Sequence, residues 1–252
     1  MLLTQILIRA SSSGLASPLP PIVQQNVRSL SAAHPGWPHC IFSHDDIRDF
    51  LRDQFPAEVS RAFAILKPFA YKADLARYCL LYQSGGIYAD LSYYFTHPLP
   101  TQTPKLVVFR DLLCSSPWDT SNGVFHVPPR HRALAHAIER VCANVQRGYY
   151  GATPWCPTGP ALFGQALART CEAEDLITGT ATLVPRATLQ SLHPDLLLPE
   201  GELIHCLTIQ GHLIAIKRKA VVAPGLESLG IADGNMYRAM WGKRDIYDSA
   251  AS

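Results

Sequence analysis

The sequence predicts an α/β domain built on a mostly parallel sheet, with an antiparallel hairpin added late. Three observations lead there. Strand-like and helix-like apolar patterns alternate through the first two thirds of the chain, the order that yields a parallel sheet. Near the end, residues 202–209 and 212–217 flank Gln210-Gly211, a two-residue hairpin signal. Of the 252 residues, 48% are hydrophobic and only 17% charged, enough to bury a large core. No linker, internal repeat or low-complexity tract divides the chain, so residues 1–252 read as one domain.

The elements follow in order. Residues 2–8 are apolar and of strand length. The run is broken by Thr4 and Gln5, follows no basic segment and is too short to span a bilayer, so it reads as the first core strand. A Ser-, Gly- and Pro-rich loop occupies residues 11–21. Pro21 opens a helix through Ala33, which His34-Pro35-Gly36-Trp37-Pro38 breaks. A short strand at 40–42 precedes a helix capped by Ser43 or Asp45, with Ile47, Phe50 and Leu51 on one face. A helix from Pro68 to Ser84 is stopped by Gly85-Gly86. Residues 87–95, β-branched and aromatic, read as a central strand, and 106–109 as another. A helix at 130–146 buries Leu134, Ile138, Val141 and Val145. Thr158-Gly159-Pro160 reads as an N-cap with a first-turn proline, opening a helix to Arg169.

Composition also excludes functions. The formal charge is +2, and the only basic run is Lys217-Arg218-Lys219. That triplet reads as a solvated strand end rather than the basic stripe that nucleic-acid binding needs. Seven scattered cysteines, an odd number with no CxxC spacing, fit neither a disulfide framework nor a zinc site. They suit a reducing compartment, so a cytoplasmic location is expected, with at most peripheral contact at the membrane face. There is no GxGxxG, GxxxxGK[ST], GxSxG or HExxH pattern. Cys156 reads as a structural thiol, and His205 and His212 as surface or hairpin residues.

The chemistry concentrates in residues 71–92. Asp74 and Arg77 lie three apart on one helix face, while Leu75, Cys79 and Tyr82 face the sheet. A carboxylate beside a guanidinium can grip sugar hydroxyls as acceptor and donor together. The alternative is a surface ion pair. Gly85 and Gly86 permit a sharp turn and close backbone approach, or simply end the helix. Asp90 interrupts an apolar strand, where an unpaired carboxylate is costly to bury. It is therefore expected at the strand's carboxyl end, facing the crevice where open α/β sheets bind ligands. There it could hold magnesium or manganese bridging two phosphates.

Ala73-Asp74-Leu75-Ala76-Arg77-Tyr78, followed by Leu81-Tyr82 and Gly85-Gly86-Ile87-Tyr88-Ala89-Asp90, resembles the DXD-type sugar transferases of glycosyltransferase family 32. The likeness extends back to Leu19-Pro20-Pro21, Asn26 and His34-Pro35-Gly36-Trp37. It extends forward to Ser121-Asn122-Gly123, His131 and Thr158-Gly159-Pro160. The resemblance implies a GT-A fold, a Rossmann-like nucleotide-diphosphosugar transferase architecture. It also implies a nucleotide-sugar donor, a divalent metal (Mn2+ or Mg2+) and retention of anomeric configuration. By position, Asp74, Arg77 and Asp90 would be catalytic. Asp74 and Arg77 would bind the donor sugar, and Asp90, beside Tyr88, would meet the ribose and the metal. Gly85 and Gly86 would pass close to the nucleotide, and Ile8 would floor the base pocket. Asn122, Thr158, Gly159 and Pro160 would line the sugar side. Trp241 or Asn235 would close over the diphosphate, or else the tail docks on the core. The second acidic position of DXD is Ser92, a much poorer metal ligand. The family's first strand also commonly carries a His-Gln pair, which is missing. The implied acceptor is a glycan or lipid-linked saccharide. The rival expectation is a non-catalytic sugar-nucleotide or glycan-binding protein.

Overall fold

The computed structural model describes residues 1–9, 19–111, 118–227 and 236–248, with backbone alone at 225–227. Asn235 and most of the loop at 11–21 lie outside the described residues. The first strand, β1 (Leu2–Ile6), is followed by α1 (Pro21–Ala33), which opens on a first-turn proline, and by β2 (His39–Phe42). Ser43 caps α2 (His44–Gln54). Its hydroxyl accepts from the Asp46 amide, and the Asp46 carboxylate accepts from the Ser43 amide in return. A helix with no strong sequence signal, α3 (Ala57–Ile65), precedes α4 (Phe69–Ser84). Gly85 ends α4 at φ +60°, a conformation that favours glycine. Then come β3 (Gly86–Ala89), β4 (Tyr93–Phe95), β5 (Leu106–Asp111) and β6 (Thr120–Val127). Two helices, α5 (Arg132–Gln146) and α6 (Pro160–Thr170), lead to β7 (Leu176–Pro185) and α7 (Arg186–Leu192). The hairpin of β8 (Leu203–Ile209) and β9 (His212–Lys217) turns on Gln210 and Gly211, both at positive φ as a two-residue hairpin requires. Helices α8 (Lys219–Glu227) and α9 (Tyr237–Gly242) follow.

Among the described residues nine strands form one sheet in the order β2-β1-β3-β6-β5-β7-β8-β9-β4. The expectation of a mostly parallel sheet is corrected: the sheet is mixed. Only β1/β2, β1/β3 and β5/β7 pair in parallel, and the other five pairings are antiparallel. The cause is β6, which enters antiparallel between β3 and β5, together with the antiparallel run of β7, β8 and β9.

A second correction concerns residues 87–95, which form two strands and not one. The break is a turn at Asp90, Leu91 and Ser92, closed by the Tyr93 amide donating to the Asp90 carbonyl at 3.1 Å. The consequence is geometric. β3 is third in the sheet and β4 ninth, yet three residues join them. Four Cα steps reach at most about 15 Å, so the sheet curls until its last strand lies beside the carboxyl end of β3. One face of this curled sheet carries α4, α5 and α6 over Leu75, Tyr78, Phe125, Leu134 and Phe163. The other carries α1 over Leu3, Leu30, Ile87, Phe109 and Leu207. Each such aliphatic or aromatic side chain, once buried, contributes about 1.5–3 kcal/mol.

Candidate functional site

The helix α4 is buried nearly all round, so Asp74 and Arg77 face the interior, each less than a tenth exposed. Asp74 Oδ1 accepts from Asn122 Nδ2 at 2.8 Å, and Oδ2 accepts from Thr158 Oγ1 at 2.7 Å. Arg77 reaches both ways: Nη2 lies 3.4 Å from Asp74 Oδ1 and Nη1 lies 3.4 Å from Asp90 Oδ1. Nη1 also donates to the Asn122 carbonyl at 2.6 Å. Tyr88 donates to Asp90 Oδ1 at 2.8 Å, and its ring lies 4.3 Å from the guanidinium. Tyr78 accepts from the Asn122 amide and donates to the Thr158 carbonyl, both at 2.9 Å.

The electrostatics follow from this geometry. Burial pushes the Asp74 carboxyl up, opposed by the Arg77 charge and by its two hydrogen bonds. Burial acts to lower Arg77, but Tyr88, Asp90 and Asp74 outweigh it and hold the guanidinium above its usual value. Taking such charges out of water costs several kcal/mol each, and apolar residues of similar volume are often no less stable. Stability alone is therefore a weak reason for the arrangement. Asp90 is its open end, with a side chain 37% exposed. The three residues expected from sequence thus form one linked trio, and the carboxylate facing outward is Asp90, while the oxygens of Asp74 are taken by protein donors.

The other expected residues divide. Asn122 and Thr158 join the trio as described. Gly159, the N-cap of α6, sits against Asp74, and Pro160 is the first-turn proline. Thr158 does not cap α6, because its hydroxyl is spent on Asp74. Ile8 is buried just beyond the carboxyl end of β1, whose neighbour is β3. Gly85 and Gly86 lie at the opposite end of β3 from Asp90. A side chain on Gly85 would meet Pro129 and one on Gly86 the backbone of Leu2, so packing accounts for both glycines and a nearby nucleotide is not needed. Trp241 donates from Nε1 to the Tyr150 carbonyl at 2.8 Å and packs on the core, the docked arrangement. His131 caps α5, its ring accepting from the Ala133 amide.

Sequence reasoning missed the far wall. Lys217 and Arg218 are not a solvated strand end. Arg218 is fully buried, donating from Nη1 to Asn26 Oδ1 at 2.8 Å and to Gln25 Oε1 at 2.9 Å, and from Nε to the Leu197 carbonyl. Its amide donates to the Ser92 carbonyl at 2.7 Å, and Asn26 donates to the Leu91 carbonyl at 2.9 Å. Together they pin the turn at 90–92. Lys217 pairs with Tyr93 across β9 and β4, its ammonium 5.6 Å from the ring. The neighbouring Tyr93, Asp90 and Asp111 hold it above its usual value against burial. Burial, aided by the Lys217 charge, drives His205 down to about 4. The one available signal was positional: Lys217 ends an apolar strand, as Asp90 does.

A resident divalent cation wants several hard anionic oxygens. Asp90 supplies one carboxylate, with Oδ1 already engaged by Tyr88 and Arg77, and Ser92 supplies a hydroxyl in the turn. Two cationic side chains stand nearby, and no group of three or more His, Cys, Asp or Glu gathers among the described residues. This donor set does not fit a tightly held metal.

Residues 20–107 match the glycosyltransferase sugar-binding region containing the DXD motif. An uncharacterized glycosyltransferase of Acanthamoeba polyphaga mimivirus is 25% identical over 154 residues, 61% of this chain and 52% of that one. Inositol phosphoceramide mannosyltransferase 1 of Schizosaccharomyces pombe is 28% identical over 121 residues, 46% of this chain and 36% of that one. The chain thus spans about half the first relative and about a third of the second. Among solved structures, the PaToxG glycosyltransferase aligns at a TM-score of 0.47 and 16% identity, over 66% of this chain and 67% of that one. The molecule is a mixed α/β protein whose residues 20–107 resemble that sugar-binding region. The resemblance to glycosyltransferase family 32 read from the sequence points the same way as these matches.

Proposed function

We propose that the chain is a GT-A-type retaining glycosyltransferase, moving a hexose from a UDP- or GDP-sugar to a glycan or lipid-linked acceptor. The observation that carries the reading is the Asp74–Arg77–Asp90 trio, which ends in an open carboxylate at the carboxyl end of β3, inside the matched sugar-binding region. In this reading the sugar's anomeric carbon parts from the diphosphate oxygen through an oxocarbenium-like transition state. The electron pair leaves with the diphosphate, whose charge grows, so preorganised cationic and donor groups lower that barrier. Asp74 and Arg77, locked by Asn122 and Thr158, hold Asp90 and the donor face rigid. The acceptor hydroxyl attacks on the face the leaving group departs from, and the departing phosphate takes its proton.

The test is release of nucleoside diphosphate from a panel of UDP- and GDP-sugars by the purified chain, slow in water and faster with acceptor. If none binds at millimolar concentration in a thermal-shift screen, the reading fails, since a bound ligand must raise the melting temperature. Ser92 favours one rival, a binding protein without turnover. Binding of a sugar nucleotide with no release of diphosphate would select it.

A further inference from the structure

We propose that Lys217 is the cation that receives the donor's diphosphate, and that the donor consequently binds without a divalent metal. This rests on reading the site as one for a sugar nucleotide. Curling of the sheet places Lys217 there. Tyr93, its partner across β4 and β9, follows Asp90 by three residues, and the Tyr93 amide bonds the Asp90 carbonyl. Tyr93 also closes on Gly123, whose backbone lies under the Asp90 carboxylate. Asp90, Tyr93 and Lys217 therefore border one crevice, drawn from the ends of β3, β4 and β9.

The other cations of the site are committed elsewhere. Arg77 is held between Asp74 and Asp90 and donates to two backbone carbonyls. Arg218 is fully buried in its clasp on Asn26, Gln25 and Leu197. Lys217 forms no ion pair within 4 Å among the described residues: its ammonium meets the Tyr93 side chain, with Asp90 and Asp111 further off, and it is half-buried where Arg77 and Arg218 are buried. Its next neighbour, Arg218, anchors that strand end through the Ser92 carbonyl, so the ammonium is carried on a fixed support. A point charge on a flexible stem suits phosphate oxygens. The residue that a metal-binding site would need as its second acid is Ser92, in the turn that same support holds. Beside Asp90, one ammonium and one hydroxyl thus stand where a second carboxylate and a dication would otherwise stand.

Isothermal titration of UDP and GDP into the full chain, in EDTA and in manganese, tests this. Wild type is expected to bind one of the two with affinity changed less than about threefold by EDTA. Lys217→Met should lose about tenfold or more, the usual loss for one charged contact, while binding of the matching nucleoside, uridine or guanosine, stays within about threefold. Lys217→Arg should retain diphosphate binding. The proposal is overturned if wild type binds only with manganese, or if folded Lys217→Met binds the diphosphate as wild type does. Should Lys217→Met not fold, the EDTA arm on wild type and the Lys217→Arg protein still decide. If neither nucleotide binds in either condition, the sugar-nucleotide reading itself falls and takes this proposal with it.

Discussion

Asp74 shows how much of the site a single residue's surroundings determine. Its type and spacing from Arg77 were legible, because opposite charges three apart share one helix face. Its burial was not, since the partners Asn122 and Thr158 come from far along the chain. With both oxygens held by protein donors, Asp74 organises the trio from below. Asp74→Asn keeps the shape and removes the charge, so turnover is expected to fall about a hundredfold. The melting temperature should fall only modestly, because Arg77 keeps Asp90 as a counter-charge and the Asn122 carbonyl as an acceptor. Steady-state kinetics beside thermal melts would show it, and wild-type turnover with a lowered melting temperature would mean a structural ion pair. Gly123 offers a sharper probe. A Cβ there would lie 2.8 Å from Asp90 Oδ2 and 3.3 Å from the Tyr93 ring. Overpacking of this kind costs about 1–3 kcal/mol, and here the strain falls on the open carboxylate. Gly123→Ala should cut kcat/KM about tenfold or more. A variant melting lower yet turning over normally would show that the position of Asp90 is unimportant.

The elements divide by whether local pattern or distant contact set them. Helices α1, α2, α4, α5 and α6 were legible because capping residues, prolines and glycines punctuate apolar stripes that face the core. The split of 87–95 was not. Its β-branched and aromatic residues suit a strand throughout, and nothing local says that the chain leaves β3 to join the far edge. Strand β6 was missed for a related reason: Ser121-Asn122-Gly123 is poor strand sequence, kept where the site needs small and polar groups. α3 and α4 also yield a pH prediction. Lys72, in the first turn of α4, donates to the Phe63 and Ala64 carbonyls and so closes the end of α3. Burial lowers it to about 8, with Asp248 opposing. The folded chain then sheds this proton earlier than the unfolded chain, so the unfolded state binds more protons between about pH 8 and pH 10.5. Over that window stability from this group rises with pH. Compared with Lys72→Met, wild type should gain about 2 kcal/mol across it. Urea melts at pH 7.5 and pH 10 measure the difference, and parallel curves would place Lys72 in solvent.

At the scale of the molecule, the α/β class and the late hairpin were legible, whereas the mixed sheet and its curl were not. Alternating elements say only that strands lie in one sheet, and strand direction depends on which neighbour each one finds. The curl has a geometric consequence, because it brings the ninth strand, β4, and its partner β9 beside the carboxyl end of the third, β3. The β3 side supplies Asp90, whose amide bonds the Gly123 carbonyl at 2.8 Å. The β9 side supplies Lys217, and next to it the Arg218 amide bonds the Ser92 carbonyl at 2.7 Å. These two backbone bonds lie on either side of the turn, and they open separately if the seam between β3 and the β4–β9 edge is loose. A ligand that touches both walls makes them open together, and binding to the closed state lowers the open population in proportion to saturation. Amide hydrogen exchange with and without saturating UDP or GDP reads this directly. Protection of both Asp90 and Arg218 is expected, and larger at both than at Ile209 and His212 on the distant hairpin turn. Protection of Asp90 alone would mean the nucleotide rests on the β3 wall, leaving the curl as architecture and nothing more.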